Sequence, residues 1–245
     1  GTHALMIPKT DDKRVLFAVP WHNKVVIGTT DTPVEEVAAE PMVLEEEVDY
    51  ILEHINRYVS PQIRREDIKS VFAGLRPLVR SKEGTSTALL SRDHTIVVSP
   101  SGLVTITGGK WTTYRKMAQD AVDNAVFISK LDKRLCITKN LPIGDPHSVQ
   151  QKKEKMIQET PALANLLHPD FSYQWVDIAY AIQHEMAVTV EDVLARRTRL
   201  LFLDAHAALD CLEQVVLFMQ IELNQSDEWV EKQKKDFIEL AEGYL

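Results

Sequence analysis

Up to about residue 116, short apolar and β-branched runs alternate with turn residues, a pattern typical of β-strands. His22 and Asn23 separate two such runs, residues 15–21 and 24–30, which favours a β-hairpin. Further strands are predicted over residues 4–7, 96–98 and 103–107. The hydrophobic pattern therefore predicts that the first half of the chain is rich in strands.

Helical spacing interrupts the strands once and dominates after Lys110. Apolar residues three and four positions apart predict a helix over residues 44–58, with three glutamates in its first turn, and another over residues 114–126. Thr189 and Asp192 have the spacing of a capping box. The remaining predicted helices cover residues 148–159, 175–185, 190–197, 205–223 and 227–245.

These two patterns predict an α+β protein. We expect an antiparallel or mixed β-sheet domain over residues 1–128, followed by an all-α C-terminal domain over residues 129–245. The boundary is placed within residues 129–146, where an Asn-Leu-Pro-Ile-Gly-Asp-Pro sequence breaks the helical pattern.

The charge balance excludes one class of partner, and the cysteines indicate a compartment. With 28 Lys and Arg against 36 Asp and Glu, the 245-residue chain carries a net charge of -8, which argues against general nucleic-acid binding. Cys136 and Cys211 form no CxxC motif, so we expect two buried, reduced thiols in the cytoplasm. No apolar run approaches the roughly 20 residues of a membrane span. Because the chain starts at Gly1 rather than Met, we expect it to be a piece of a longer protein.

Several familiar motifs are incomplete. The Gly-Gly-Lys sequence ending at Lys110 is followed by Trp111 instead of Ser or Thr, which excludes a P-loop. His184-Glu begins a zinc motif, but position 188 is valine, so no metal site is predicted. No GxGxxG dinucleotide fingerprint occurs. The basic run 196–199 has two interpretations, cations at a helix C-terminus or a contact with anionic lipid or a partner domain.

Residues 68–118 form a basic stretch in this acidic chain, with eight cations against two acids, or +6. Cationic side chains in apolar surroundings need an anionic partner. A phosphate suits this role, because it can accept two parallel hydrogen bonds from a guanidinium group. Acids from elsewhere, such as residues 45–47, are the alternative, and the residues alone leave both open. The cations are Lys69, Arg76, Arg80, Lys82, Arg92, Lys110, Arg115 and Lys116.

Gly108 and Gly109 lie between a predicted strand and a predicted helix. Such a junction places backbone N–H groups and the positive end of a helix at one point, which suits a negative charge. That charge could be a phosphate or the oxygen of a reduced flavin ring. A plain tight turn without a ligand is the alternative.

A set of short motifs runs along the chain. The motifs are Gly1-Thr-His3, Pro20-Trp21, Gly28-Thr-Thr-Asp31-Thr, Ala73-Gly-Leu-Arg76-Pro-Leu, Ser91-Arg-Asp-His94-Thr, Thr107-Gly-Gly-Lys-Trp-Thr-Thr-Tyr-Arg115-Lys-Met-Ala, His184-Glu-Met and Thr189-Val-Glu-Asp-Val-Leu-Ala-Arg-Arg-Thr-Arg199. In this order they resemble the FAD-dependent glycerol-3-phosphate dehydrogenase family over nearly the whole chain. The resemblance implies oxidation of sn-glycerol 3-phosphate at C2, FAD as the hydride acceptor and quinone as the electron acceptor.

The resemblance also implies roles for individual residues near the substrate. Arg76 and Arg92 are expected to hold the substrate phosphate. Lys110 is expected close to the substrate and the flavin, as a catalytic residue. His3 is expected to accept the proton of the C2 hydroxyl, since imidazole accepts protons near neutral pH. Residues 1–128 would then be the substrate-binding domain, with a strand and a helix that face the flavin.

On the cofactor side, the resemblance implies that Gly108, Gly109, Lys110 and Thr113 contact FAD at a helix N-terminus. The positive helix end would favour the anionic reduced flavin. Because the family's GxGxxG segment is missing, we expect the chain alone to bind FAD weakly and to be inactive. Residues 103–107 and the helix after Lys110 should expose apolar surface, be mobile or pack against another copy.

The resemblance further implies a cytoplasmic location, peripheral at the inner face of the membrane, and allows a homodimer. Two alternatives stay open. One is a glycerol-3-phosphate oxidase that passes electrons to oxygen. The other is a non-catalytic module that binds a phosphorylated ligand or a partner.

Overall fold

The computed structural model describes residues 2–8, 10–11, 14–76 and 94–245. The chain forms two compact units, one made of residues 1–74 with 147–245 and the other of residues 75–146. Helices are combined with two small antiparallel sheets, which confirms the predicted α+β class.

Three antiparallel strands begin the first unit, in the order β1 (Leu5–Ile7), β2 (Leu16–Trp21) and β3 (Lys24–Gly28). The turn between β2 and β3 has positive φ at both central residues, 45° at His22 and 62° at Asn23. This backbone geometry matches the right-handed twist of a two-residue hairpin. The predicted hairpin is confirmed.

Helix α1 (Glu45–Ile55) closes a small core against this sheet. Ile7, Leu16 and Ile55 are buried together. The three glutamates of the first turn lie at the positive end of the helix, where they stabilise it. The predicted helix is therefore confirmed, although it stops three residues before Tyr58.

Helices in residues 147–245 build the main core of the first unit, centred on α6, where Val215, Val216 and Met219 are fully buried. Trp21 of β2 packs against this core. The helices of this core are α4 (Trp175–His184), α5 (Leu200–Leu203), α6 (Ala205–Leu223) and α7 (Asp227–Glu242). They are preceded by α3 (Pro146–Glu159), which buries no residue.

An extended segment ties residues 1–74 to these helices. The Val71 amide donates to the Tyr244 carbonyl at 2.9 Å, and the Ala205 amide donates to the Lys69 carbonyl at 3.0 Å. These two hydrogen bonds join backbone groups, so they do not depend on which side chains are present. They connect the strand-rich part of the first unit to its helical part.

A capping box starts the helical turn at residues 190–197, as predicted. Asp192 Oδ2 accepts from the Thr189 amide at 3.1 Å, and the Asp192 amide donates to Thr189 Oγ1 at 3.1 Å. The turn over Asp192–Arg197 is π-helical rather than α-helical. The buried Thr198 hydroxyl donates to the Val193 carbonyl at 2.9 Å, a hydrogen bond across five residues that suits this wider turn.

The second unit contains a hairpin of β4 (His94–Val98) and β5 (Val104–Gly108), followed by α2 (Tyr114–Ile128). No residue of α2 is buried, and Val122 and Phe127 are exposed. The predicted exposure of apolar surface at this helix is confirmed.

The two cysteines differ, which corrects the expectation that both are buried. Cys211 is buried in α6, but Cys136 is exposed. Cys136 lies in residues 132–137, which form no helix or strand and bury no side chain. Without a core beneath this segment, a small apolar residue has nothing to pack against.

The division into domains at 1–128 and 129–245 stays a prediction, because packing within this chain does not test how domains are arranged in a longer protein. Across the described ranges, no helix combines the length and the apolar character needed to cross a membrane.

Candidate functional site at the diglycine corner

Strand β5 leads into α2 through Gly108, Gly109 and Lys110, which we call the diglycine corner. Gly108 has φ +75° and Gly109 has φ +79°. Two successive residues in the left-handed region favour glycine strongly, since a Cβ atom is strained there. Lys110 then returns to extended geometry and begins a 3-10 turn over Trp111–Thr113 that continues into α2.

Local hydrogen bonds hold the start of this turn. Thr113 Oγ1 donates to the Lys110 carbonyl at 2.9 Å, and the Lys110 amide lies 3.3 Å from Thr113 Oγ1. The Lys110 residue is exposed, so its ammonium group is available to a ligand. The corner therefore offers a cation beside the positive N-terminal end of a 15-residue helix.

Packing behind the corner is tight. A Cβ on Gly109 would lie 2.5 Å from Met117 Sδ and 3.2 Å from His94 Cβ. His94 pairs with Gly108 across the hairpin. The corner backbone thus runs directly over side chains from β4 and α2.

A charged cluster lies in the same place. His94 Nε2 is 3.0 Å from Asp120 Oδ2, and Lys116 Nζ is 2.5 Å from Asp120 Oδ1. The hydrogen bond from Lys116 lowers the pKa of Asp120, so this carboxyl is ionised at neutral pH. Sequence reasoning missed the cluster. The four-residue spacing of Lys116 and Asp120 signals their ion pair, but His94 is 26 residues away and carries no such signal.

Comparisons with known proteins match almost the whole chain. A family model described as FAD dependent oxidoreductase matches residues 2–115, and the C-terminal domain of alpha-glycerophosphate oxidase matches residues 148–230. The probable mitochondrial glycerol-3-phosphate dehydrogenase of Caenorhabditis elegans is 35% identical over 98% of this chain. The mitochondrial enzyme of Mus musculus is 33% identical over 98%. Over almost its whole length, the chain is therefore similar to FAD-dependent glycerol-3-phosphate dehydrogenases.

A solved structure agrees with this assignment. The glycerol-3-phosphate dehydrogenase from Bacillus halodurans, complexed with FAD, superposes with a TM-score of 0.72 at 26% identity and covers 98% of this chain. This chain spans 53% of that structure and 38% and 37% of the two curated relatives. It therefore corresponds to about half or less of the length of these members of the family.

The substrate-binding residues predicted from the sequence are only partly described. Arg76 is exposed and lies in the same compact unit as Lys110. Arg92 lies outside the described residues, as do Arg80 and Lys82. The shared phosphate pocket of Arg76, Arg92 and Lys110 stays a prediction.

His3, the predicted base, is exposed and belongs to the first unit. Its Nδ1 lies 3.4 Å from Thr2 Oγ1. Because Lys110 belongs to the other unit, the meeting of His3 with the diglycine corner stays a prediction. Four residues that were predicted to bind the cofactor lie close together in sequence at the corner and the turn after it. They are Gly108, Gly109, Lys110 and Thr113.

Other cations of the basic stretch have local partners. Lys116 pairs with Asp120, and Arg115 donates to Gln119 at 2.9 Å. Of the acids suggested as alternative partners, Glu45 pairs with Arg65 at 2.7 Å. The acid that pairs with Lys116 therefore comes from its own helix and not from residues 45–47.

In the basic run at residues 196–199, Arg196 pairs with Glu191 and with Asp192, the latter at 2.8 Å. Arg197 donates to the Glu185 carbonyl at 2.5 Å. These contacts favour a structural role for both arginines over a lipid contact.

Proposed function

We propose that this chain is part of a flavoprotein that oxidises sn-glycerol 3-phosphate to dihydroxyacetone phosphate, with FAD as hydride acceptor. The diglycine corner carries the proposal, because it places two positive-φ glycines and an exposed lysine at a helix start. The names of the relatives supply the substrate class.

The residues of the corner fit the flavin end of FAD. A glycine backbone admits close approach, and a helix N-terminus suits the negative charge of a reduced ring. The sequence contains no GxGxxG, so residues beyond this chain would hold the nucleotide half. When bound, FAD supplies the acceptor for a hydride from C2 of the substrate. Gly108, Gly109, Lys110 and Thr113 would contact it.

In this proposal, positively charged side chains recognise the substrate. Arg76 and Arg92 would hold the phosphate through bidentate hydrogen bonds, which are stronger than neutral ones. Lys110 would orient the reacting alcohol. These contacts fix C2 in place and exclude water from the reacting atoms.

His3 would remove the proton of the C2 hydroxyl. Its Nδ1 lies beside Thr2 Oγ1, so we place the accepted proton on Nε2. Imidazole is the side-chain group that enzymes use most often as a general base.

Quinone is the electron acceptor we propose, in a protein that is cytoplasmic, peripheral at the inner face of the membrane and able to form a homodimer. The match to a domain of alpha-glycerophosphate oxidase favours a second candidate, in which oxygen accepts the electrons. Peroxide formation during turnover distinguishes the two. A non-catalytic module would bind a phosphorylated ligand without any turnover.

The test compares Arg76→Ala and Arg92→Ala with the unsubstituted longer protein. Each variant should raise KM for glycerol 3-phosphate by about 10- to 100-fold, the equivalent of one lost charge-assisted hydrogen bond of about 1.5–3 kcal/mol. Arg64→Ala is the matched control, because Arg64 is exposed and its ion pairs with Glu66 and Asp67 are long, at 3.7 and 3.9 Å. If KM is the same in all four proteins, these arginines do not hold the substrate.

A further inference from the structure

Behind the diglycine corner lies a cluster to which the proposed function assigns no role. His94 is the first residue of β4, and Asp120 lies in the second turn of α2. His94 Nε2 and Asp120 Oδ2 are 3.0 Å apart, which is hydrogen-bond distance. The contact joins a strand to a helix that are far apart in the sequence.

The position of this contact relates it to the corner. His94 pairs directly with Gly108, the last residue of β5. The corner connects β5 to α2, and the contact between His94 and Asp120 joins β4, the strand paired with β5, to the same helix. Any change in the angle between hairpin and helix must therefore move the corner backbone or break this contact.

The space around Gly109 leaves little freedom for such a change. Its α-carbon is enclosed by Met117 and His94, since a Cβ there would lie 2.5 Å from Met117 Sδ and 3.2 Å from His94 Cβ. Three side chains thus define one wall behind the corner, Met117 by packing and His94 with Asp120 by a polar contact.

The polar contact is partly shielded from water. The side chain of His94 is 21% exposed and that of Asp120 is 24% exposed, so both are mostly withdrawn from water. Such a bond is stronger than one on an open surface, because fewer water molecules compete for the same atoms. Lys116 keeps Asp120 ionised, and an ionised acceptor strengthens the bond further.

We propose that His94 and Asp120 are positioning residues, which hold the diglycine corner in the conformation that receives the flavin of FAD. This inference rests on the proposed function and extends it to residues that do not contact the cofactor. Loss of either residue should release α2 from the hairpin and misplace the backbone of Gly108 and Gly109.

The experiment is a double-mutant cycle on FAD affinity in the longer protein, using His94→Ala, Asp120→Ala and the double variant. Each single variant should raise the FAD dissociation constant by about tenfold. The double variant should bind FAD no more weakly than Asp120→Ala alone, because Asp120→Ala already removes the contact with His94. His94→Gln keeps an N–H donor and should restore most of the affinity.

Asp123→Ala is the matched control. Asp123 is an exposed acid on the same helix, and its loss changes the charge equally. Affinity is measured well below the thermal unfolding temperature of each variant, so a general loss of stability does not alter it. The visible absorbance bands of bound flavin provide a second readout of its surroundings.

The outcomes separate the two claims. If the unsubstituted protein binds no FAD and does not oxidise glycerol 3-phosphate, the proposed function fails. If it binds FAD, but the two single variants match Asp123→Ala in affinity or their effects simply add, the positioning role is wrong and the proposed function stands.

Discussion

Asp192 satisfies several hydrogen-bond donors at once where the chain enters the π-helical turn. Its Oδ2 accepts from the amides of Val188 and Thr189, both at 3.1 Å, and its Oδ1 accepts from Arg196 at 2.8 Å. Burial alone would raise the pKa of Asp192, but these hydrogen bonds outweigh it and lower the pKa below the usual range. The folded state therefore favours the ionised carboxylate.

Replacing Asp192 with alanine should lower the free energy of unfolding by about 1–2 kcal/mol, as for the loss of other N-terminal caps. Urea denaturation followed by tryptophan fluorescence measures this. Glu239→Ala is the control, because Glu239 is exposed and its ion pair with Lys235 is long, at 3.6 Å. Its effect should be about 0–0.5 kcal/mol.

The pH dependence of this difference follows from the sign of the pKa shift. In the unfolded chain, an aspartate carboxyl has a pKa of about 3.9. A carboxyl whose pKa is lower in the folded state stabilises the protein at pH values above 3.9. It loses this contribution as the pH falls through its pKa in the folded state. The difference in free energy of unfolding between the unsubstituted chain and Asp192→Ala should be greatest at pH 7 and should decrease below about pH 4. A gap that is constant from pH 7 to pH 3 would contradict the role of the charge.

The two thiols should differ in reactivity. A hydrogen bond with Thr138, at 3.1 Å, lowers the pKa of the exposed Cys136, whereas burial raises the pKa of Cys211 to about 11. Because the thiolate is the nucleophile, iodoacetamide should modify Cys136 in the folded chain and Cys211 only after unfolding. Peptide mass analysis identifies the modified residue, and Cys136→Ser should leave the folded chain unmodified. Equal modification of both cysteines would show that α6 does not protect Cys211.

At the scale of elements, the diglycine corner makes one position intolerant of a side chain. Gly109→Ala should lower the free energy of unfolding by about 1–3 kcal/mol, since alanine is strained at φ +79° and Met117 must move. Gly74→Ala is the control, because its Cβ would have nothing within 4 Å and its φ is not left-handed. Urea unfolding followed by circular dichroism compares them, and equal midpoints would mean that the corner is not rigid.

Elements defined by local patterns could be predicted from the sequence. The hairpin at His22 and Asn23 and the capping box at Thr189 and Asp192 depend on residues only a few positions apart. The same applies to the corner after β5, where glycine geometry and helix capping are local properties.

Elements without a recognisable sequence pattern could not be predicted, whether their contacts are local or distant. The π-helical turn is accompanied by the buried Thr198 hydroxyl, and the short α5 follows Arg199 in a left-handed conformation, for which the sequence pattern gives no sign. The contact of His94 with Asp120 requires the register of β4 and β5 and the placement of α2 together. Its residues look ordinary until the fold brings them together.

At the scale of the whole molecule, the exposed apolar side chains of residues 75–146 agree with a chain that is covered by further protein in its longer form. Among the described residues of this range, the most exposed large side chains are those of Trp111, Phe127, Leu135 and Ile143, at 88%, 84%, 89% and 84%. This supports the proposal that the chain alone lacks part of the cofactor site.

The chain by itself should therefore bind FAD at least about 100-fold more weakly than the longer protein, because the contacts to the nucleotide half are missing, a loss of about 2.7 kcal/mol or more. Quenching of flavin fluorescence during titration measures both affinities. Stoichiometric FAD in the purified chain would show that residues 1–245 complete the site without the GxGxxG region.

The most direct test of the whole account is anaerobic addition of glycerol 3-phosphate to the FAD-loaded longer protein, followed through the visible absorbance of the flavin. The account predicts that glycerol 3-phosphate bleaches the flavin and that glycerol, which lacks the phosphate, does so far more slowly. A flavin that stays oxidised with glycerol 3-phosphate, or is bleached equally fast by glycerol, would contradict it.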